Sequence, residues 1–350
     1  MITVLQPGLA STIQDEGRAE YLAFGLPRAG VMDRYAAHMA NLLCGNPVSA
    51  AVLEMTLMGG SFRFEQACRI ALCGADMEPR LNGQPIGNWQ ALTVVAGDVL
   101  ETGYASTGCR SYLAVGGGFA VPMVMGSRST YTRANLGGVE GRILKAGDCL
   151  PQGEAPPVSG PPTRLPSRFI PAYPEQITLR VILGPQDDLF LPEGIAALFS
   201  GEYLVSDEAD RMGYRLAGPE IRHRDKADIV SDALGIGAIQ VPGSGQPIVM
   251  MADCGTTGGY AKIGAVIGAD LWKLAQAKPQ NTVRFVQYTD PAAVEALREE
   301  QNLYRAAAEM ISTGGSPAPT DRVGVRRLNL RIDGQAYEIE MEEVTGNEDN

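Results

Sequence analysis

The segment from Gln240 to Gly264, QVPGSGQPIVMMADCGTTGGYAKIG, gathers most of the side chains in this sequence that could do chemistry together. Thr256 and Thr257 bring hydroxyls, Tyr260 a phenol, Lys262 an amine and Asp253 a carboxylate. The amides of Gln240 and Gln246 each donate and accept, as an amide-like ligand requires. Tyr260 or Lys262 could act as general base where its surroundings lower its pKa. Gly258 and Gly259 let backbone approach a ligand closely. The apolar run Ile248, Val249, Met250, Met251 predicts a buried strand. Ile263, Val266, Ile267, Leu271 and Leu274 predict a helix from about Lys262 to Gln276. Strand, polar loop and helix N-terminus, with N–H groups pointing outward, would make a ligand site. A tight glycine turn with no ligand is the competing reading, since the loop fits no phosphate-binding template.

Two further clusters carry polar chemistry. Gly116-Gly117-Gly118 and Gly126-Ser127-Arg128-Ser129-Thr130 can each form an anion-binding nest with Arg128 as anchor. Equally, the glycines close turns and Arg128 pairs with a structural carboxylate. In Asp210-Arg211-Met212-Gly213-Tyr214-Arg215, the two arginines flanking Gly-Tyr can hold a carboxylate bidentately, while an ion pair fixing a loop is the plainer role. Only two histidines occur, His38 and His223, in unrelated contexts. Neither a zinc site of ordinary spacing nor a local His-based triad is therefore expected. His38 falls in a helical pattern and reads as a packed or surface residue.

Around these groups lie 350 residues, enough for two domains. Apolar content of 45% and charged content of 20% are those of a soluble globular protein. A net charge of −11, with the densest basic patch confined to Arg322, Arg326, Arg327 and Arg331, argues against a nucleic-acid partner. The opening MITVLQPGLA lacks a basic region, and no apolar run approaches a membrane span. A cytoplasmic protein is expected. The six cysteines include no CxxC pair and most sit in apolar runs, so reduced, buried thiols are expected.

Short strands dominate the first part: Ile2–Leu5, Ser61–Phe64, Arg69–Cys73, Leu92–Val95, Asp98–Glu101 and Arg110–Val115. Asp33 is set to cap a helix carrying Ala36, Met39, Ala40 and Leu43. Residues 1–152 read as one β-domain, the proline-rich 153–174 as a semi-rigid linker and 175–312 as a second domain. The second has strands at Leu179–Leu183, Ala238–Val241, Pro247–Ala252 and Thr282–Tyr288, then a helix capped at Asp290-Pro291 with a stripe of Val294, Leu297, Tyr304, Ala307 and Ile311. Residues 313–350 read as a flexible break and a hairpin about Asp333-Gly334.

PGLASTIQDEGR, FGLPRAGVMDRYAAHMANLLCGN, the glycine motifs of Arg110–Leu150, ILGPQ, DRMGYRLAGP and IQVPGSGQPIVMMAD with TTGGY follow one another in this order. Over about residues 1–300 they resemble the biotin-dependent carboxyltransferase family, also called allophanate hydrolase subunit 2. Its members include KipA, the C component of bacterial 5-oxoprolinase and part of the carboxyltransferase domain of urea carboxylase. The resemblance implies an α+β, mainly β fold: two cyclophilin-like β-barrel units with a C-terminal helix and hairpin tail. It implies a smaller cyclophilin-like partner (subunit 1, KipI or the B component of 5-oxoprolinase). The activity implied is ATP-dependent opening of 5-oxoproline to glutamate with a lactam-hydrolase subunit, or carboxyl transfer from carboxybiotin on a separate carrier to urea or a related amide. The alternative is a regulatory protein that sequesters a KipI-like partner without catalysis. ATP would enter through partner subunits, and no cofactor would be bound covalently.

For such reactions the resemblance makes Thr256, Tyr260 and Lys262 the catalytic candidates. Arg128, Ser129, Arg211, Tyr214, Gln240, Gln246, Asp253, Thr257, Gly258 and Gly259 are the candidates for binding substrate, and no metal ligand is implied. Relatives commonly carry Arg or Ala and then Gln where this chain has Cys254-Gly255, which removes an amide suited to a ureido group and leaves the substrate open. Met250-Met251 and Ser231-Asp232-Ala233 also depart from the family pattern. The tail past residue 320 looks like the strands that often precede a biotinyl carrier domain, but no carrier lysine motif follows, so a docking role is its implied use.

Overall fold

Side-chain alternation organises the first half. In the computed structural model, strand Thr107–Val115 turns Leu113 and Val115 into one core and Tyr112 and Ala114 into another, the period of a pleated strand. The structure describes residues 1–155 and 163–313, together with the backbone of strands Val325–Ile332 and Gln335–Glu342. Thr107–Val115 is central in a five-stranded sheet with Ala10–Gln14, Val52–Thr56, Cys68–Asp76 and Gln90–Val94. One face of that sheet shares a core around Ile13, Phe62, Phe64 and Leu113 with a six-stranded sheet that includes Ile2–Gln6, Ser61–Phe64 and Val99–Glu101. The other face is covered by helix Arg34–Leu43 through Ala36, Met39, Ala40 and Leu43. Asp33 caps this helix as expected, its Oδ1 accepting from Ala36 N at 3.0 Å.

The second half closes into a seven-stranded barrel. Its order is Gln176–Leu183, Lys262–Val266, Ala238–Gln240, Ile248–Met250, Gly213–Ala217, Tyr203–Val205 and Thr282–Gln287, sealed by the parallel pair Gln176–Leu183 with Thr282–Gln287. Closure leaves no free edge, and Leu179, Val181, Val249, Ile263 and Phe285 fill the interior. The mainly β expectation holds. The helix expected over Lys262–Gln276 does not form. Lys262–Val266 is a barrel strand, Gly268–Asp270 a 3-10 turn, and only Leu271–Ala275 is α-helical. Ile263 and Val266 suit a buried strand as well as a helix face, and a β-carbon on Gly264 would stand 2.7 Å from the Ile182 carbonyl oxygen, so glycine lets the two strands close.

Outside the barrel, Asp228–Ala233 pairs with Thr257–Tyr260 in a separate two-stranded ribbon. Helix Asp290–Ser312 begins as expected, although Thr289 rather than Asp290 occupies the cap position. Its stripe is covered only toward the C-terminal end: Ala307 is buried, while Val294 and Leu297 are exposed. Leu165 and Phe169, within the proline-rich stretch, pack on the first half; residues 156–162 of that stretch lie outside the described residues. The tail strands pair as an antiparallel ladder ending at Ile332 opposite Gln335, and the expected turn Asp333-Gly334 between them lies outside the described residues. Among the described residues no helix is long and apolar enough to cross a membrane. All six cysteines are unpaired, and only Cys149 is exposed.

Candidate functional site

The two halves meet on a buried polar seam. Arg211 Nε and Nη2 donate to Asp253 Oδ2 and Oδ1 at 3.0 and 2.9 Å, so the bidentate carboxylate suggested by the Asp210–Arg215 motif is the chain's own. Arg211 Nη1 meets Glu54 Oε1 at 2.5 Å and Nη2 reaches the Gly30 carbonyl at 2.6 Å. Burial works against the Arg211 charge, but Asp253 and Glu54 outweigh it and hold the guanidinium protonated. Arg110 Nη1 donates to the Tyr214 hydroxyl at 2.6 Å, and Tyr214 donates to the Ala277 carbonyl at 3.2 Å. Gln276 accepts from the Cys109 and Arg110 amides and donates to Asp33 Oδ2 at 2.8 Å. Tyr214 is thus taken up by the seam and does not join a ligand site.

The glycine clusters divide. Gly116, Gly117 and Gly118 donate their N–H groups to the Arg69 carbonyl, Asn46 Oδ1 and the Val115 carbonyl, so this triplet is a turn and not an anion nest. The 126–130 loop does cradle an anion, and that anion is Asp15. Its carboxylate accepts from Ser127 Oγ at 2.5 Å, Ser129 Oγ at 2.6 Å, Arg128 N at 2.6 Å and Gly17 N at 2.9 Å. Arg128 itself donates through Nε to the Val121 carbonyl at 3.0 Å. Beside them Arg18, 2% exposed, donates through Nη2 to the Ser129 carbonyl at 2.6 Å. Burial draws the Arg18 guanidinium below its ordinary pKa against the pull of Asp15 and Asp253.

The Gln240–Gly264 stretch ends at the barrel mouth, not at a helix N-terminus. Thr257–Tyr260 is the ribbon strand, and Gly258 serves close packing: a β-carbon there would stand 2.4 Å from Gln240 Nε2, whereas one on Gly259 would meet nothing nearer than 3.8 Å. Gln240 Nε2 donates to the Tyr260 carbonyl at 3.3 Å. Lys262, 4% exposed, donates through Nζ to Asp232 Oδ2 at 2.6 Å and to the Ala233 carbonyl at 2.9 Å. Gln186 ties both ends, accepting from Lys262 N at 2.9 Å and donating to Asp232 at 3.0 Å. The bond from Lys262 holds the Asp232 carboxyl below the usual carboxylate range. Tyr260 is 40% exposed and Thr256 half-buried, facing Gly25 at the end of 3-10 segment Ala19–Phe24. Gln246 sits apart, accepting from Gly218 N at 2.7 Å. Cys254 is buried, and burial pushes its thiol up to about 11, which excludes a resting thiolate nucleophile.

Behind the Asp253 turn is a cavity of about 720 Å³, with Met251, Ala252, Trp272 and Leu297 among its apolar walls. Glu16 and His38 stand on its polar side, Oε1 to Nε2 at 2.5 Å, with Arg34 on the other Glu16 oxygen. Burial would raise Glu16, but the bond and charge of His38 and the charge of Arg34 outweigh it and lower the carboxyl to about 2. His38 is therefore a partnered cavity residue, and Tyr304 contacts its ring edge-on at 5.6 Å. Among the described residues no cluster of three or more His, Cys, Asp or Glu could hold a metal ion.

Glu54 had no signal in the sequence; Asp15, Glu16 and Arg18 stand in the PGLASTIQDEGR motif and Asp232 in Ser231-Asp232-Ala233, but no role for them was legible, because the partners that define it lie elsewhere along the chain. The structure brings Thr256, Thr257, Gly258, Gly259, Tyr260, Lys262 and Gln240 together with Asp232 at one barrel mouth. Asp253 and Arg211 lie beneath, and the Asp15–Ser129 loop beside them.

Residues 24–287 match the family described as carboxyltransferase domain, subdomain A and B. The chain belongs to this family. Within it, the C component of 5-oxoprolinase from Escherichia coli is 36% identical over 308 residues, covering 88% of this chain and 98% of that protein. Urea amidolyase of Lachancea kluyveri is 33% identical over 89% of this chain, which spans only 18% of that longer protein. The solved structure of K. lactis urea amidolyase superposes with a TM-score of 0.81 at 28% identity, over 97% of this chain and 22% of that one. Carboxyltransferase-domain A and B proteins therefore occur both as a separate component of one enzyme and as a segment of another.

Proposed function

We propose that this chain is the C-type component of a 5-oxoprolinase, working on 5-oxoproline at the barrel mouth in concert with partner subunits. The observation that carries this reading is the end-to-end match to the Escherichia coli protein, which reaches 98% of its length at 36% identity. Carboxyl transfer from carrier-borne carboxybiotin to an amide is the second reading, favoured by the superposition on urea amidolyase.

Opening a lactam adds the elements of water: an oxygen nucleophile adds to the carbonyl carbon, the C–N bond breaks and nitrogen takes a proton. Lys262 uses two of an ammonium's three N–H groups on Asp232 and Ala233, leaving one donor. In this reading that donor polarises the lactam carbonyl. The exposed Tyr260 hydroxyl carries the proton, and the Thr256 hydroxyl orients the ring. Lys262 is a donor here rather than the base that its sequence position also allowed. ATP, in this reading, is bound by another subunit, since Gly116–Gly118 and Ser127, Arg128, Ser129 and Thr130 have their N–H groups filled by the chain itself.

In complexes assembled with the partner subunits, Lys262→Met is expected to lower glutamate release from 5-oxoproline about 10²-fold or more, and Asp232→Asn to lower it less. Both proteins should keep the wild-type thermal midpoint within a few degrees. Full activity in Lys262→Met would remove Lys262 from the mechanism.

A further inference from the structure

Arg18 is a buried cation whose hydrogen bonding the fold leaves incomplete. Its Nη2 reaches the Ser129 carbonyl, but Nε and Nη1 meet neither an acceptor among the described residues nor solvent. Each nearby carboxylate is already filled: Asp15 by two serine hydroxyls and two amides, Asp253 by the Arg211 fork. Arg110 Nε is also without a hydrogen bond, yet Glu54 stands 3.8 Å from it. Arg18 has no such counter-ion within ion-pair distance among the described residues. Leaving a charged donor buried and unpaired costs free energy that a protein ordinarily avoids.

The surroundings are shaped to keep that guanidinium in place. Gly137, at φ 67°, is required: a β-carbon there would stand 2.1 Å from the Ser129 carbonyl oxygen and 2.9 Å from Arg18 Nη2. The chain runs from Arg18 straight into the 3-10 segment Ala19–Phe24, none of whose residues is buried and whose Phe24 is 82% exposed, so little holds this segment down. The second N–H of Nη2, taken with Nε or Nη1, is a two-point edge of the kind that matches a carboxylate.

We propose that Arg18 is the carboxylate-binding residue of this chain, receiving a small carboxylate ligand when the Ala19–Phe24 segment lifts. The choice of ligand rests on the 5-oxoprolinase reading, because 5-oxoproline carries a carboxylate that lactam opening leaves untouched; the site itself does not depend on it. Bicarbonate presents the same chemistry.

Calorimetric titration of the full chain with 5-oxoproline, with 2-pyrrolidinone (the same lactam without the carboxylate), with acetate and with bicarbonate tests this. The expected result is that 5-oxoproline binds at least about tenfold more tightly than 2-pyrrolidinone, and that Arg18→Gln removes this difference while leaving 2-pyrrolidinone unchanged. Should Arg18→Gln fail to fold, crystals of the wild-type chain soaked separately in 5-oxoproline, acetate and bicarbonate decide: carboxylate density on Arg18 in any of them supports the site, and ordered water alone in all three overturns it. Measurable binding of 5-oxoproline and 2-pyrrolidinone with equal affinity, or binding of none of the three carboxylates by the full chain, also overturns it. Acetate or bicarbonate held by Arg18 without any binding of 5-oxoproline would uphold the site and sink the 5-oxoprolinase reading.

Discussion

Arg211 shows how a residue can be read correctly in type and still be misplaced in role. Its spacing within DRMGYR announces a fork for a carboxylate, but Asp253 lies 42 residues further on and Glu54 157 residues back. Nothing local in the sequence reveals that both belong to the chain itself. Removing one member of a buried ion network leaves the others charged and unpaired. Arg211→Met is therefore expected to destabilise the fold by about 3–5 kcal/mol in urea unfolding. Arg211→Lys should recover little, because a point charge cannot reproduce the fork. A loss below about 1 kcal/mol for Arg211→Met would show that the network does not hold the halves together. The same distance in sequence hid Asp15 beneath the 126–130 loop: the nest was legible from Gly126-Ser127-Arg128, its occupant was not.

At the scale of elements, helix Arg34–Leu43 was legible because a cap, an apolar stripe and a glycine stop coincide locally. The strand Lys262–Val266 was not, because Ile263, Val266 and Ile267 satisfy a helical period and only barrel closure decides between the two. Ala10–Gln14 and Val52–Thr56 escaped notice for a related reason. Their buried Ser11, Thr12, Gln14 and Glu54 are polar residues that become acceptable inside only through partners elsewhere in the chain.

The cap of that first helix also carries a pH signature. Burial pushes Asp33 up to about 6, outweighing the bonds from Gln276 and the Ala36 amide. With a folded value above the ordinary 3.8, the folded chain holds the proton more tightly. The stability this provides is present below about pH 4 and is lost as pH rises through about 6, by up to about 3 kcal/mol. Glu16 has the opposite sign: its contribution is present above 4.5 and fades as pH falls toward about 2, so it overlaps the Asp33 window only at its acid edge. Urea midpoints of the wild type should fall between pH 4 and 6.5, and those of Asp33→Asn should not. Parallel curves for the two proteins would contradict the assignment.

For the whole molecule, the seam from Glu54 through Arg211 to Asp253 sets the barrel mouth against the loops of the first half, so residues 1–314 form one unit and Gly315–Asn350 a second. The mainly β architecture was legible from short strands and turn residues; barrel units were implied only by the family resemblance, and the second half does close into one. The placement of the mouth was only half legible: Gln240, Thr256–Tyr260 and Lys262 do converge, but on a ribbon whose other strand carries Asp232. Lys262 and Asp232 bond directly across this mouth, and the chain matches a 5-oxoprolinase component along nearly the whole of that protein's length. The most direct test is glutamate formation from 5-oxoproline, with ATP, by this chain assembled with its partner subunits. The account predicts turnover that requires this chain and falls about 10²-fold or more in Lys262→Met. Carboxylation of urea by added carboxybiotin, without glutamate from 5-oxoproline in the same assembly, would contradict it.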